Sequence, residues 1–269
     1  MIQLQRVAIP AGLEGMPEDT YPWTVPFVRD RSSLTLTTPV TFLVGENGSG
    51  KSTWMESVAY AAHMIVAGTD DVSTDLTLAH VRSLGNEIRL TWGKRTRKGF
   101  FLRAEDYFGF VRRLSKLKAS LQKDLDETEA EFKDKGDYAR TLATGPQRGQ
   151  LRATFERYGG DLDARSHGES FLTFFNARFV PGGLYLLDEP EAALSPIRQL
   201  SLLRLIREKV EQNAQFIIAT HSPILLALPE ATIYNFDESP PAPIAWDDTE
   251  HVRVTRDFLQ RPQLFLKHL

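Results

Sequence analysis

The chain has 269 residues, of which 42% are hydrophobic and 25% are charged, and its formal net charge is −3. This balance is that of an ordinary globular chain with room for one large domain, and the small net charge favours no class of partner. No cysteine is present, which excludes disulfides, thiolate metal sites and cysteine nucleophiles. The first residues lack the apolar core of a signal peptide, and the longest apolar run, residues 216–228, is too short and too polar to span a bilayer. We therefore expect a soluble, cytoplasmic protein that does not insert into a membrane by itself.

The N-terminal region is predicted to contain two short strands separated by a loop. Residues 2–9 alternate between apolar and polar side chains, which favours a half-exposed strand, and residues 34–36 favour a second strand. Residues 10–26 are rich in proline and glycine and predict a loop. This loop carries two aromatic residues, Tyr21 and Trp23, which either contact a ligand or pack the loop onto the body.

Residues 45–53 fit the pattern G-x-x-x-x-G-K-[ST] of a phosphate-binding loop, or P-loop. An apolar strand, residues 40–44, precedes the loop and a predicted helix, residues 54–62, follows it, which is the context that the motif requires. The glycines let backbone N–H groups close around phosphate oxygens, while Lys51 reaches the β- and γ-phosphates and Ser52 ligates Mg²⁺. The predicted nucleotide-binding residues of the loop are Gly45, Glu46, Asn47, Gly48, Ser49, Gly50, Lys51, Ser52 and Thr53.

The segment beyond the P-loop helix carries a cluster of positive charge. Residues 87–92 and 99–103 favour strands, and we predict that they form an antiparallel hairpin with a basic tip, residues 93–98. Between Arg82 and Lys118, eleven lysines and arginines stand against three acidic residues. Such a surface attracts phosphate backbones or an acidic partner, although any single lysine there is more often only a solubilising group.

The middle of the chain is predicted to form a helical arm. Apolar residues recur at three- and four-residue steps between Val111 and Phe132, which predicts an amphipathic helix of about six turns, roughly 30 Å long. Its first third is basic and its last third is acidic, so the helix either packs on the body or contacts a partner. Residues 136–160 contain several glycines and a proline and predict a loop, and residues 171–179 predict a further helix.

Two apolar strands in the second half of the chain end in polar side chains. The first, residues 184–188, ends at Asp188 and Glu189, and the second, residues 215–220, ends at His221. Because α/β sheets place catalytic groups at the C-terminal ends of their strands, we expect these residues to converge with the P-loop. The remaining predicted elements are a helix over residues 197–211, a strand over residues 231–236 and a loop over residues 239–243.

The converging residues predict a division of roles suited to phosphoryl transfer. Asp188 is predicted to hold Mg²⁺ opposite Ser52. Glu189 is predicted to orient the attacking water or to act as its general base, because γ-phosphoryl transfer needs an aligned nucleophile. His221 is predicted to hydrogen-bond the γ-phosphate and to sense its presence. Lys51, Glu189 and His221 are therefore the predicted catalytic residues, and Ser52 and Asp188 the predicted metal ligands.

Four segments, residues 45–53, 166–169, 186–190 and 219–223, together resemble the motif set of ABC-type P-loop ATPases. They look more like the soluble RecF-like, SMC-like and overcoming-lysogenization-like group, and small stand-alone bacterial ATPases, than like transporter subunits. The resemblance implies an α/β P-loop NTPase fold of ABC type, with a mostly parallel central sheet, an antiparallel β subdomain and a helical arm and signature subdomain. It further implies that ATP is sandwiched between two subunits. The signature residues carried over for nucleotide binding are Ser166, Gly168 and Glu169, of which Ser166 and Gly168 would touch the γ-phosphate from the second copy.

The resemblance also predicts how the chain is divided. One ABC-type ATPase domain spans residues 1–269. Glu105 is the candidate for the Q-loop position, Tyr21 or Trp23 for the residue that stacks on adenine, and Ser195 stands where the D-loop usually ends in aspartate. The predicted parts are antiparallel β segments at residues 1–44 and 84–106, an arm and signature subdomain at residues 107–180, and a core at residues 181–269.

The function that these expectations favour is an Mg²⁺-dependent ATPase that forms an ATP-dependent, head-to-tail homodimer. Closure of the dimer would act on an unidentified protein or nucleic-acid partner, in a process related to defence or repair. One alternative is the nucleotide-binding subunit of an ABC transporter, which would need a membrane partner. Another is an ATP-gated binding module with negligible turnover, and Glu189 argues against it because a pure switch does not need that carboxylate.

Overall fold

The computed structural model describes residues 1–10, 19–67, 81–157 and 167–267. The chain divides into two compact units, one formed by Met1–Ala104 with Val180–Leu269 and the other by Glu105–Phe179. Among the described helices, none combines the length and the apolar composition that crossing a bilayer requires.

The first unit is built on two β-sheets. Its strands are β1 (Leu4–Ala8), β2 (Ser33–Thr35), β3 (Val40–Val44), β4 (Arg89–Trp92), β5 (Gly99–Arg103), β6 (Leu184–Asp188), β7 (Gln215–Ala219), β8 (Thr232–Asn235) and β9 (Ala242–Pro243). The larger sheet has the order β5-β6-β7-β3-β8-β9, in which all neighbours are parallel except β8 and β9. Every residue of β3, β6 and β7 is buried, as expected for central parallel strands covered on both faces.

Helices flank this larger sheet. The helices of the first unit are α1 (Pro26–Arg29), α2 (Lys51–Ala61), α3 (Arg82–Glu87), α7 (Pro196–Glu211), α8 (Pro223–Leu226), α9 (Glu250–Gln260) and α10 (Pro262–Leu266). The P-loop helix α2 buries most of its side chains, and Trp54 meets the ring of Phe236 edge-on, with ring centroids 6.1 Å apart. Trp23 also lies in this apolar core. The segment around the P-loop is therefore held by packing on several sides.

The smaller sheet is antiparallel, with the order β2-β1-β4. One buried side chain, Gln215 at the start of β7, joins it to the larger sheet. The Gln215 amide oxygen accepts hydrogen bonds from the backbone N–H groups of Gln3 and Leu4, at 2.9 and 2.8 Å, and its amide nitrogen donates to the Leu4 carbonyl at 2.9 Å. The Gln3 and Leu4 backbone groups that face β7 therefore have hydrogen-bond partners inside the protein.

The predicted hairpin of residues 87–92 and 99–103 is wrong. β4 pairs with β1 in the small sheet, whereas β5 pairs in parallel with β6 in the large sheet, so residues 93–98 connect two different sheets. The burial of the two strands accounts for this, because β4 is half exposed and β5 is almost wholly buried. At Gly99 the φ angle is +122°, and a Cβ atom there would lie 1.7 Å from the Leu184 carbonyl oxygen, so the chain enters β5 only through glycine.

The second unit is helical. It contains nearly all of α4 (Ala104–Glu131), together with α5 (Asp137–Arg157) and α6 (His167–Arg178). α4 and α5 are linked by a hydrogen bond from the Gln147 amide to the Thr128 hydroxyl, at 2.9 Å, and by an ion pair between Arg148 and Glu129, at 2.6 Å. In α6 and just after it, the aromatic side chains of Phe171, Phe174, Phe175 and Phe179 are buried, and the Phe175 ring contacts each of the other three.

The structure also corrects the loop predicted over residues 136–160, because α5 occupies most of it. Pro146 lies inside this helix and lacks the N–H group that would continue the helical ladder. The two residues that follow it make the contacts with α4 just described, and packing between helices commonly outweighs unfavourable local propensity. The periodic part of the arm, by contrast, is helical as predicted, and α4 extends the predicted helix at its N-terminal end.

Candidate functional site

The P-loop connects β3 to α2, as its sequence context predicts. Gly45, Gly48 and Gly50 have φ angles of +142°, +88° and +99°, values that other residues rarely adopt. A Cβ atom on Gly50 would lie 2.3 Å from Cγ1 of Val25, so close packing as well as backbone conformation requires glycine there. The loop therefore has the glycine-dependent shape with which backbone N–H groups can surround an anion.

Lys51, the first residue of α2, is buried and folds back over the loop. Its ammonium group donates hydrogen bonds to the carbonyl oxygens of Gly45 and Glu46, at 2.7 and 2.9 Å. Burial lowers the pKa of Lys51, and the surrounding carboxylates, led by Asp188, act in the opposite direction. The P-loop thus holds a buried cation against its own backbone carbonyls.

Two further side chains support the P-loop. The Asp237 carboxylate, just beyond β8, accepts a hydrogen bond from the Glu46 N–H at 2.7 Å, and the Tyr21 hydroxyl lies 2.8 Å from the Thr53 hydroxyl. Tyr21 is half exposed, whereas Trp23 is only 7% exposed in the core, so Tyr21 is the one of these two aromatics with a substantial accessible ring. Sequence reasoning missed Asp237, although a polar residue soon after a buried strand is a signal of the kind that identified Asp188.

Asp188 and Ser52 form a pair of oxygen donors beside the P-loop. The Ser52 hydroxyl hydrogen-bonds the Asp188 carboxylate, whose pKa is raised to about 6, mainly by burial and also by the charge of Glu189. The Asp188 Oδ1 atom is buried and has no hydrogen-bond partner within the part of the chain that the structure describes. An orphaned carboxylate oxygen next to a hydroxyl suits a hard divalent cation, so these residues fit the Mg²⁺ ion that the motifs imply.

Glu189 occupies an unusual backbone position. Its φ angle of +50° lies in the left-handed region, which costs a residue other than glycine about 1–3 kcal/mol and is concentrated at functional sites. A hydrogen bond from its N–H to the Ala219 carbonyl, at 2.9 Å, holds the turn against β7. The carboxylate is 48% exposed and lies 3.5 Å from Nε2 of His221. The strained turn thus leaves the Glu189 carboxylate partly exposed to solvent and close to His221.

His221, at the end of β7, is fixed through its backbone and through its ring. The backbone N–H of His221 donates a hydrogen bond to the Glu191 carboxylate at 2.7 Å, and its ring Nδ1 atom lies 2.8 Å from Nε2 of His251 in α9. Burial, followed by the charge of Lys51, lowers the pKa of His221, so its imidazole is mostly neutral at pH 7. The structural roles of Glu191 and His251 were not predicted, and no spacing rule connects His251 with His221.

A buried ion pair lies beside the same edge. Arg103, at the end of β5, contacts the Glu56 carboxylate of α2 at 3.0 Å, and both side chains are less than a tenth exposed. Arg103 is in register with Asp188 on the neighbouring strand, so the pair ties the P-loop helix to the strand next to Asp188. The predicted Q-loop residue, Glu105, lies in α4, and its side chain is not among those described.

The structure brings the P-loop, Asp188, Glu189 and His221 to the C-terminal edge of three adjacent strands, β3, β7 and β6. Their registers align Leu43 with Ala219, and Ala219 with Asp188. Of the predicted signature residues, Gly168 and Glu169 lie in the second unit, in the first turn of α6. Ser166 lies outside the described residues.

A mostly parallel α/β sheet with a P-loop between β3 and α2 defines a P-loop NTPase fold, and the strand-end motifs resemble those of ABC-type ATPases. Residues 173–227 match the model of a family described as "AAA domain, putative AbiEii toxin, Type IV TA system". No curated protein matches the chain.

Solved structures similar to this chain include SMC head domains and ABC transporter subunits. The Pyrococcus furiosus SMC head bound to the C-terminal domain of ScpA is 13% identical, covers 87% of this chain and 93% of its own, and has a TM-score of 0.46. The Thermotoga maritima SMC head domain is 14% identical, with coverages of 87% and 94% and a TM-score of 0.39. CbiO1 from Clostridium perfringens, part of an ABC transporter complex, is 16% identical, with coverages of 89% and 91% and a TM-score of 0.40. Similarity at this level does not extend to activity or partners.

Proposed function

We propose that the protein is a cytoplasmic, Mg²⁺-dependent ATPase that binds ATP between two copies of the chain and couples closure of this dimer to a partner. The observation that carries the proposal is the gathering of the P-loop, Asp188, Glu189 and His221 at one edge of the sheet. Each group separately has an ordinary structural explanation, but together they supply an anion cradle, metal ligands and a carboxylate for the water.

Each residue has a role that its surroundings support. The P-loop N–H groups and Lys51 hold the β- and γ-phosphates of ATP, and Ser52 and Asp188 hold the metal ion. When bound, Mg²⁺ supplies charge neutralisation at the phosphate oxygens. Glu189 orients the attacking water and accepts its proton, for which a partly solvated carboxylate is suited. His221 donates a hydrogen bond to the γ-phosphate from Nε2.

The second copy would supply the signature segment. Gly168 and Glu169 stand in the first turn of α6, and N–H groups at the start of a helix attract anions. By resemblance to ABC-type ATPases, we propose that this segment contacts the γ-phosphate of ATP bound to the opposite subunit. On this proposal, neither copy has a complete hydrolytic site until ATP brings two copies together.

The test is ATP hydrolysis by the purified chain, measured with Mg²⁺ and with excess chelator, alongside the molar mass in solution. We expect phosphate release that requires Mg²⁺, and a change from one to two copies when ATP is present under conditions of slow turnover. Absence of hydrolysis at every Mg²⁺ concentration would contradict the enzymatic part of the proposal. A monomer at saturating ATP would contradict the dimeric part.

A nucleic-acid partner is favoured by the basic connection between the two sheets. Its side chains Lys94, Arg95, Arg97 and Lys98 are all exposed. If they contact a phosphate backbone, replacing all four with serine should weaken DNA binding and reduce the slope of log affinity against log salt by about 3 to 4 units, since each neutralised phosphate contributes about 0.9. DNA affinity measured across a salt series gives both quantities.

The control for this experiment removes four exposed positive charges elsewhere in the first unit, at Arg204, Arg207, Arg253 and Arg261. The two variants then have the same net charge, so any difference between them reports the position of the charges. Equal affinities and equal slopes for the two variants would remove the connection from the proposed nucleic-acid surface.

A further inference from the structure

We propose that His251 is a positioning residue for the proposed ATPase reaction, and that it donates a hydrogen bond to His221 which fixes the His221 proton on Nε2. The inference rests on the proposed function and deepens it, because it states how His221 is kept able to donate to the γ-phosphate. It starts from the contact between the two rings, whose centroids are 4.6 Å apart and whose planes are nearly perpendicular, at 81°.

The start of α9 is anchored to the segment that carries His221. The buried Thr249, just before α9, donates its hydroxyl proton to the Trp246 carbonyl at 2.8 Å. The Trp246 indole N–H in turn donates to the Pro223 carbonyl at 3.1 Å, two residues beyond His221. His251 is the second residue of this anchored helix, so its backbone is held close to His221.

The hydrogen bond between Nδ1 of His221 and Nε2 of His251 contains a single proton, and either nitrogen can carry it. If His251 donates, a neutral His221 must carry its own proton on Nε2. If His221 donates, its Nε2 becomes a bare acceptor. The identity of the donor in this contact therefore decides whether His221 can donate to a phosphate oxygen.

The surroundings of Nε2 select between the two arrangements. This atom is buried, has no hydrogen-bond partner among the described residues, and lies 3.5 Å from the Glu189 carboxylate. A bare lone pair facing a carboxylate is repelled, whereas an N–H facing it is attracted. The carboxylate thus favours the proton on Nε2, which makes His251 the donor at the other side of the ring.

The decisive variants are His251→Leu, which removes the donor, and His251→Gln, which keeps an N–H group close to the position of Nε2. We expect kcat to fall about 10- to 100-fold in the leucine variant, the size of one hydrogen bond to a charged group. The KM for ATP should change less than about twofold, because Lys51 and the P-loop still bind the phosphates. The glutamine variant should recover most of the lost rate.

Two controls distinguish a positioning role of His251 from an effect on folding. Thr255→Leu, on the exposed face of the same helix, should leave kcat unchanged. In the double variant His221→Ala/His251→Leu, the rate should equal that of His221→Ala alone, because His251 acts only through His221. Equal losses in the leucine and glutamine variants, or a wild-type kcat in folded His251→Leu, would overturn the inference.

A direct measurement uses ¹⁵N NMR of the 269-residue chain labelled at its six histidines, with His221→Ala providing the assignment. We expect the proton of His221 on Nε2 in the wild type and a mixture of both tautomers in His251→Leu. A wild-type proton on Nδ1 would refute the inference even if the leucine variant does not fold. Because this experiment needs no turnover, an inactive wild type would count against the proposed function and leave the tautomer test intact.

Discussion

Replacing Lys51 with alanine is expected to lower the affinity for ATP by about 100-fold. The change removes the cation that we propose contacts the β- and γ-phosphates, and a hydrogen bond to a charged group contributes about 1.5–3 kcal/mol. About 2.7 kcal/mol corresponds to the expected 100-fold change in the dissociation constant. Equilibrium binding of ATP, measured by calorimetry on wild type and variant at the same Mg²⁺ concentration, gives the ratio.

The alanine variant also loses the hydrogen bonds from Lys51 to the carbonyls of Gly45 and Glu46, so its folding must be checked separately. Thermal unfolding without nucleotide serves for this, because the expected loss of stability is small compared with the loss of affinity. Lys133→Ala, an exposed lysine in the second unit, is the matched control and should bind ATP normally. Unchanged ATP affinity in a folded Lys51→Ala variant would show that the P-loop is not the nucleotide site.

The parts of the fold that were predicted correctly are those with a strong local pattern. Residues 40–44, 184–188 and 215–219 are short, mostly apolar runs, and each is a fully buried strand of the large sheet. Residues 45–53 contain three glycines, which can adopt the backbone conformations that the loop requires. Because parallel strands present their C-terminal ends at one edge, these local patterns were enough to predict that the P-loop, Asp188 and His221 would meet.

The errors in the fold arise where pairing is decided over long sequence distances. Two strand-like runs separated by six residues predict a hairpin, yet the first run pairs with β1 at the N-terminus and the second with β6, some eighty residues further along the chain. Residues 137–157 have weak helical propensity, and their helix is held by contacts with α4. In both cases a tertiary partner overrides the local preference.

The same distinction applies to the candidate site. Asp188, Glu189 and His221 follow buried strands directly, and this position is visible in the sequence. Arg103 and His251 gain their roles only from contacts formed in the folded protein, with Glu56 and His221 respectively. A charged residue at the end of one strand, and a histidine near the start of a C-terminal helix, carry no local signal that would reveal such partners.

Replacing Glu189 with glutamine is expected to leave ATP binding intact and to slow hydrolysis by about 100-fold or more, the usual contribution of a positioned general base. Glutamine preserves the size of the side chain and can occupy the same left-handed turn. It removes the negative charge that orients the attacking water and accepts its proton. The hydrogen bonds of the Lys51 ammonium and of the Ser52–Asp188 pair do not involve Glu189, so the affinity for ATP should change little.

The slowed variant also tests the proposed dimer. If two copies close around ATP and open after hydrolysis, blocking hydrolysis should trap the closed form, and Mg²⁺-ATP should shift Glu189→Gln to twice the monomer mass. Glu208→Gln, an exposed glutamate in α7, is the control and should hydrolyse ATP at the wild-type rate without accumulating dimer. Full activity in Glu189→Gln would remove this carboxylate from its role in hydrolysis. Slow hydrolysis by a variant that stays monomeric would keep that role and reject the dimer, so the two parts of the proposal are tested separately by one protein.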